Sequence, residues 1–210
     1  MAPYYEIVEG VRLPARLGGH PALDFCNTWA GWNGGAGVEY LEEYDHLVLW
    51  AGFVGLLEPE RVASLRVNGG RREKQAAAVL ERALRLRTDL YGLVSDRGSA
   101  TAGPTAAIAE ELRAARASLE LGRAETKFEW RLAPSCDLEA PVLAAAWSAA
   151  SLLTSSDLPY VRACPGNGCG WVFLDKRGRR RWCSMAACGN REKVRRFSAR
   201  RREEGSPGGG

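Results

Sequence analysis

Four cysteines in two close pairs restrict this chain more than any other feature. The spacing is Cys164-x4-Cys169, then 13 residues, then Cys183-x4-Cys188. Thiolates are soft ligands, and four of them in paired spacing suit a tetrahedral zinc ion. A catalytic zinc keeps one coordination position open for water or substrate. Here four thiolates fill the shell, and the two histidines, His20 and His46, lie far away in sequence. The spacing therefore predicts one structural zinc ion held by Cys164, Cys169, Cys183 and Cys188. In so small a module, metal binding supplies much of the folding free energy, on the order of 10 kcal/mol. Cys26 and Cys136 stand alone and read as packing residues; His20 and His46 read as structural.

The intervening residues fit such a site. Pro165-Gly166-Asn167-Gly168 can turn tightly enough to aim the first pair at one point. Trp171-Val172-Phe173-Leu174 reads as a strand, Asp175-Lys176-Arg177-Gly178 as a turn, and Arg179-Arg180-Arg181-Trp182 as the returning strand. Ser184 is placed to cap a helix carrying Cys188. Knuckle, hairpin and helix together describe a treble-clef finger; spacing alone also fits a zinc ribbon. Trp171 and Trp182 read as its core.

Charge divides the chain at the same place. Residues 160–204 hold 13 Lys and Arg against four Asp and Glu, whereas the remainder holds 16 against 21. A basic module on a mildly acidic body points to a polyanion partner. No apolar run approaches the roughly 20 residues of a membrane span. The start, MAPYYEIVEG, shows no basic stretch followed by an apolar one. A cytoplasmic location with reduced thiols is expected.

The body, residues 1–157, reads as mostly helical with a small antiparallel sheet, an α+β class. Leu23 and Phe25 lie in a short buried helix or turn. Residues 44–57 carry a helical stripe of Leu47, Val48, Trp50, Ala51 and Val54. Pro59 opens another helix. Val79, Ala83, Leu86, Leu90 and Leu93 recur along the longest helix, over 71–94. Pro104 starts the next, with Ile108, Leu112, Ala115 and Leu119 on one side. Residues 127–132 alternate strictly, as a half-buried strand does, with a partner near 119–121 turning at Gly122. Asp137 is placed to cap a final helix of Val142, Leu143, Ala146, Trp147, Ala150 and Leu153.

Cys188-Gly189-Asn190-Arg191 resembles the signature of the CGNR zinc-finger family. Arg162-Ala163-Cys164, Cys169-Gly170-Trp171-Val172-Phe173-Leu174-Asp175 and Arg180-Arg181-Trp182-Cys183-Ser184-Met185 resemble the rest of that finger. The body resembles the ABATE domain that precedes it, most clearly in Leu23-Asp24-Phe25-Cys26-Asn27-Thr28. The tip Asp175-Lys176-Arg177-Gly178-Arg179 is shorter than the family's usual version, and Cys26 stands where an aliphatic residue is usual. The resemblance implies a stress-related bacterial transcription regulator whose finger binds DNA.

On this reading residues 158–203 form the finger with a basic terminal helix, and 204–210 a disordered tail. Val194 and Phe197 would pack on the hairpin, and Arg195 and Arg196 would point outward. The candidate contacts to double-stranded DNA are Arg179, Arg181, Asn190, Arg191, Lys193, Arg195, Arg196 and Arg200. Asn190 could read adenine or brace the zinc loop, and Arg191 could contact DNA or lock the finger. A homodimer and a small-molecule effector of the body are further candidate partners. An RNA-binding module or a protein-interaction adaptor remains the alternative. No nucleophile–base pair or phosphate loop stands out, so no enzyme is expected; Asp24 with Asn27, or the 29–32 loop, would be the place for one.

Overall fold

A computed structural model describes residues 4–34, 36–95, 106–123 and 125–204, without the side chains of 199, 200 and 202–204. Antiparallel strands β1 (Tyr5–Val8) and β2 (Val11–Pro14) lead to helix α1 (Pro21–Cys26). The pair β3 (Trp29–Ala30) and β4 (Val38–Glu39) follows, then helices α2 (Tyr44–Phe53), α3 (Pro59–Arg71), α4 (Glu73–Ser95) and α5 (Ala106–Ala117). Strands β5 (Leu119–Arg123) and β6 (Phe128–Leu132) form a hairpin before helix α6 (Ala140–Leu153). The finger follows, with β7 (Val161–Ala163), β8 (Val172–Leu174), a π-helical turn over Met185–Gly189, and helix α7 (Asn190–Glu204).

Helix α6 contains no charged residue, so it has no face suited to water and becomes the axis of the body. Its alanines let α1, α2, α4 and α5 approach closely on different sides. Helix α4 is amphipathic and turns Ala76, Val79, Ala83, Leu86, Leu90 and Val94 inward. Pro21 and Pro59 occupy first turns, where a missing N–H costs nothing. His20 caps α1, its Nδ1 accepting from the Ala22 N–H at 3.2 Å. Burial of this imidazole lowers its pKa, in keeping with a neutral acceptor.

Several expectations need correcting. Asp137 is not the cap of α6; Glu139 holds that position, and Asp137 is ion-paired with Arg72. The strand over 128–132 exists, but its apolar face is uncovered: Phe128 is 65% and Trp130 58% exposed. Its hairpin turns after Arg123, not at Gly122. The helix start at Pro104, the tail over 205–210 and the side chain of Arg200 lie outside the described residues.

Candidate metal centre and its basic face

The four thiols converge. All four sulfurs lie within 4.8 Å of one another and all four residues are buried. A tetrahedron of sulfurs about 2.3 Å from a central ion has edges of about 3.8 Å. The Cys169–Cys183 and Cys183–Cys188 sulfurs are each 3.7 Å apart, as that geometry asks. A methyl group on Gly166 would lie 2.8 Å from the Cys188 sulfur and 3.4 Å from that of Cys164, so this glycine leaves room for the cluster. The site fits one structural zinc ion.

Each sulfur is positioned by local backbone chemistry. The Cys169 N–H donates to the Gly166 carbonyl at 3.0 Å and the Cys164 N–H to the Trp171 carbonyl at 2.8 Å, which closes the knuckle. Gly168 and Gly170 take left-handed φ of 67° and 71°. Cys188 sits in the π-turn, closed by the Gly189 N–H on the Ser184 carbonyl at 3.0 Å. Ser184 holds the cap position, but its hydroxyl makes no capping bond.

The second strand expected over 179–182 is absent, and β8 pairs with β7 instead. Side chains have taken the backbone groups that a ladder would use. Asp175 accepts the N–H of Arg179 at 3.0 Å and of Arg180 at 3.1 Å. Burial opposes ionisation of Asp175, yet these donors hold its carboxyl below the usual range. The Arg180 guanidinium donates to the carbonyls of Cys183 at 2.6 Å, Leu17 at 3.1 Å and Leu174 at 3.3 Å, lying over the Phe173 ring. Arg180 is a brace between finger and body.

Body residues form the rest of the surround. The Asn27 side chain imitates a neighbouring strand, donating to the Val172 carbonyl at 3.0 Å and accepting its N–H at 2.9 Å. Asp24 accepts the Gly18 N–H at 2.8 Å, and the Gly18 carbonyl accepts the Leu174 N–H at 2.9 Å. The 23–28 segment is thus a socket for β8. Desolvation raises the pKa of buried Asp24 to about 6, against which the Gly18 N–H works. The 29–34 loop clasps the knuckle. The Asn33 amide donates to the Cys164 carbonyl at 2.8 Å, and the Trp32 N–H to the Cys169 carbonyl at 3.1 Å. Trp32 stacks on Tyr91, whose hydroxyl donates to the Gly170 carbonyl. Trp171 is buried, its indole N–H on the Trp29 carbonyl; Trp182 is half-buried under Arg181.

Two donors converge on the Cys188 sulfur: the Tyr4 hydroxyl at 3.0 Å and the Arg191 guanidinium at 3.3 Å. Four thiolates around one divalent ion carry surplus negative charge, which these donors offset. Arg191 also lies over the Tyr4 ring. The Asn190 amide donates to the Ala186 carbonyl at 3.1 Å and so braces the preceding turn. Arg191→Met is expected to weaken zinc binding about tenfold, measured by competition with a chromophoric chelator. Unchanged zinc affinity would remove Arg191 from the brace.

Other cations of the finger face solvent. Arg177, Arg179, Arg181 and Lys193 are exposed, with no carboxylate partner among the described residues. Arg195 and Arg196 are exposed and share the Glu192 carboxylate, at 2.9–3.1 Å. Val194 and Phe197 do not pack on the finger; they are 66% and 63% exposed. The hairpin meant to receive them is missing, and the finger's aromatics are already covered by Tyr4, Tyr5, Tyr40 and Leu17. Helix α7 therefore projects.

Sequence reasoning missed Tyr4, Asn33, Tyr91 and the socket role of Asn27. The one available signal was a pair of short polar residues, Asp24 and Asn27, inside an apolar run.

A search among curated proteins finds no match. Two family models match the chain: the CGNR zinc finger over residues 160–201, and ABATE, described as a proposed stress-induced transcription regulator, over residues 19–156. The second covers more than half of the 210 residues, and with the geometry of the cysteine cluster it places this chain in the ABATE family, with a CGNR zinc finger at its carboxy-terminal end.

Proposed function

We propose that the chain is a DNA-binding transcription regulator whose zinc finger docks on double-stranded DNA while the body holds the finger in a fixed orientation. The observation that carries this reading is the exposure of helix α7 with its Lys193, together with Arg177, Arg179 and Arg181 of the finger, none of the four having a carboxylate partner among the described residues. Glu192 does not block Arg195 and Arg196. An exposed ion pair three or four positions along a helix contributes little and is readily exchanged for another anion. The carboxylate keeps both guanidinia extended along the helix until phosphates replace it. Val194 and Phe197, apolar and exposed among cations, are placed to meet thymine methyl groups once α7 enters a groove. Asn190 and Arg191 support the finger in this account, and Arg179, Arg181, Lys193, Arg195 and Arg196 meet phosphates.

The chain acts by binding, not catalysis; the polar atoms of Asp24 and Asn27 engage Gly18 and Val172. An effector acting on the body has a groove of about 470 Å³ between α2, α3 and α4 to enter, lined by Tyr44, Arg66 and Leu80 among others. No described helix is long and apolar enough to cross a membrane.

Gel shifts over a salt series test the proposal. With about five phosphates neutralised, log affinity is expected to fall against log salt with a slope of about −4 to −5. Each of Arg179→Ala, Arg181→Ala and Lys193→Ala is expected to reduce that slope by about one. No binding at low salt defeats the reading. The exposed Val194 and Phe197 also suit a protein-interaction adaptor, for which the same alanine variants would leave partner binding intact.

A further inference from the structure

Helix α7 projects with little to aim it. Most of its side-chain bonds stay within the helix or the turn that precedes it: Glu192 with Arg195 and Arg196, Arg201 over Phe197, and Asn190 on the Ala186 carbonyl. Among the described residues, one side chain of α7 reaches the body. It is Arg191, whose guanidinium lies 5.1 Å from the centre of the Tyr4 ring. Tyr4 lies outside both the ABATE and the CGNR segments.

Tyr4 is itself anchored. Its carbonyl accepts the Ala15 N–H at 2.8 Å, next to the pair Tyr5↔Pro14, so it continues the β1–β2 hairpin. That hairpin buries Leu13, and β2 packs on α2. The Tyr4 ring stands edge-on to Trp171, with centroids 5.3 Å apart at 87°. Its hydroxyl donates to the Cys188 sulfur at 3.0 Å, and Arg191 donates to the same sulfur at 3.3 Å. Ring, guanidinium and thiolate thus close a triangle at the base of α7. The Cys164 and Cys169 sulfurs take backbone donors, from Cys183 and Trp171. Cys188, in the turn that leads into α7, takes two side-chain donors, one from each end of the chain.

We propose that Tyr4 is a positioning residue of the finger: it fixes the direction in which α7 leaves the metal centre. Over its 15 residues, at about 1.5 Å each, α7 extends about 22 Å. A tilt of about 20° at its base moves the far end by about 8 Å, more than two base-pair steps of about 3.4 Å. Cations set along such a lever keep register on a phosphate backbone only while the base is held. The consequence for DNA rests on the function proposed above; the consequences for the metal centre and for the helix stand without it.

Two variants of the full chain test this. Tyr4→Phe removes the hydroxyl and keeps the ring; Tyr4→Leu removes both. A thiolate that loses a donor gives up its electrons more readily. With cobalt(II) in place of zinc, Tyr4→Phe is therefore expected to move the sulfur-to-cobalt charge-transfer absorption to longer wavelength. Zinc affinity is expected to fall about tenfold. At saturating zinc, amide hydrogen exchange over residues 190–198 is expected to run several-fold faster in Tyr4→Leu. Unchanged exchange over residues 44–53 checks that the body is folded. A loss of DNA affinity at fixed salt is expected to accompany the faster exchange. An unmoved cobalt spectrum in Tyr4→Phe overturns the part given to the hydroxyl. Unmoved exchange of α7 in fully loaded Tyr4→Leu overturns the positioning role. If both shifts appear but the unmodified chain binds no DNA at low salt, the proposed function falls and the positioning role of Tyr4 stands.

Discussion

Removing zinc, by a strong chelator or by Cys183→Ser, is expected to unfold the finger and to lower the melting temperature of the body with it. Without the ion, the finger retains few buried apolar side chains of its own, chiefly Trp171, Val172 and Phe173. Metal binding in modules of this size contributes on the order of 10 kcal/mol, more than that small core offers. The loss reaches the body because β8 fills a body socket. Once Val172 leaves, the Asn27 amide loses both of its hydrogen bonds to that strand, and the apolar surface that Val172 covered is exposed to water. The Gly18 carbonyl and the Asn33 amide lose their partners as well. Thermal unfolding followed with and without chelator should show one transition moving down, and added zinc should raise it again by mass action. A Cys183→Ser protein that melts like the unmodified chain would overturn the structural role given to the metal.

The metal site was legible because thiolate chemistry is local. Two cysteine pairs carry their meaning in spacing, and no other part of the chain has to be known for four sulfurs to be assigned. The helices were legible for a related reason: α4 repeats its apolar positions at the helical period, and α6 lacks charge. What spacing could not supply was the partner of a strand. Val172–Leu174 is a strand, but its neighbours are β7 and the Asn27 amide, from 145 residues away. The arginines after Asp175 look able to return as a strand; Asp175 and Arg180 instead spend that segment's hydrogen bonds on side chains. The exposure of Val194 and Phe197 follows from that misplaced hairpin. Alternation over 127–132 suggests half-burial, whereas alternation reports only that one face is apolar.

Arg87→Leu is expected to destabilise the protein by about 1–3 kcal/mol, through the Thr28 hydroxyl and the half-buried Glu39 carboxylate left without their donor. Arg87 projects from α4 with its side chain 6% exposed. Both its terminal nitrogens bond Glu39 at 2.6 Å, and one also reaches the Thr28 hydroxyl at 3.0 Å. Glu39 in turn accepts the Leu41 N–H at 2.9 Å. This cluster pins both ends of the 28–39 segment, which contains Trp32 and Asn33, the residues that hold the knuckle carbonyls. A lost Arg87 should therefore appear in two measurements: a lower midpoint in denaturant, and faster zinc transfer to a chelator. The paired variant Arg87→Leu with Glu39→Leu separates charge from packing. Replacing a whole buried ion pair by apolar side chains is often close to neutral, so the double variant should recover most of the stability lost by the single one. If the losses simply add, the Arg87–Glu39 pair does not hold the clasp, and stacking of Trp32 on Tyr91 is left to do so.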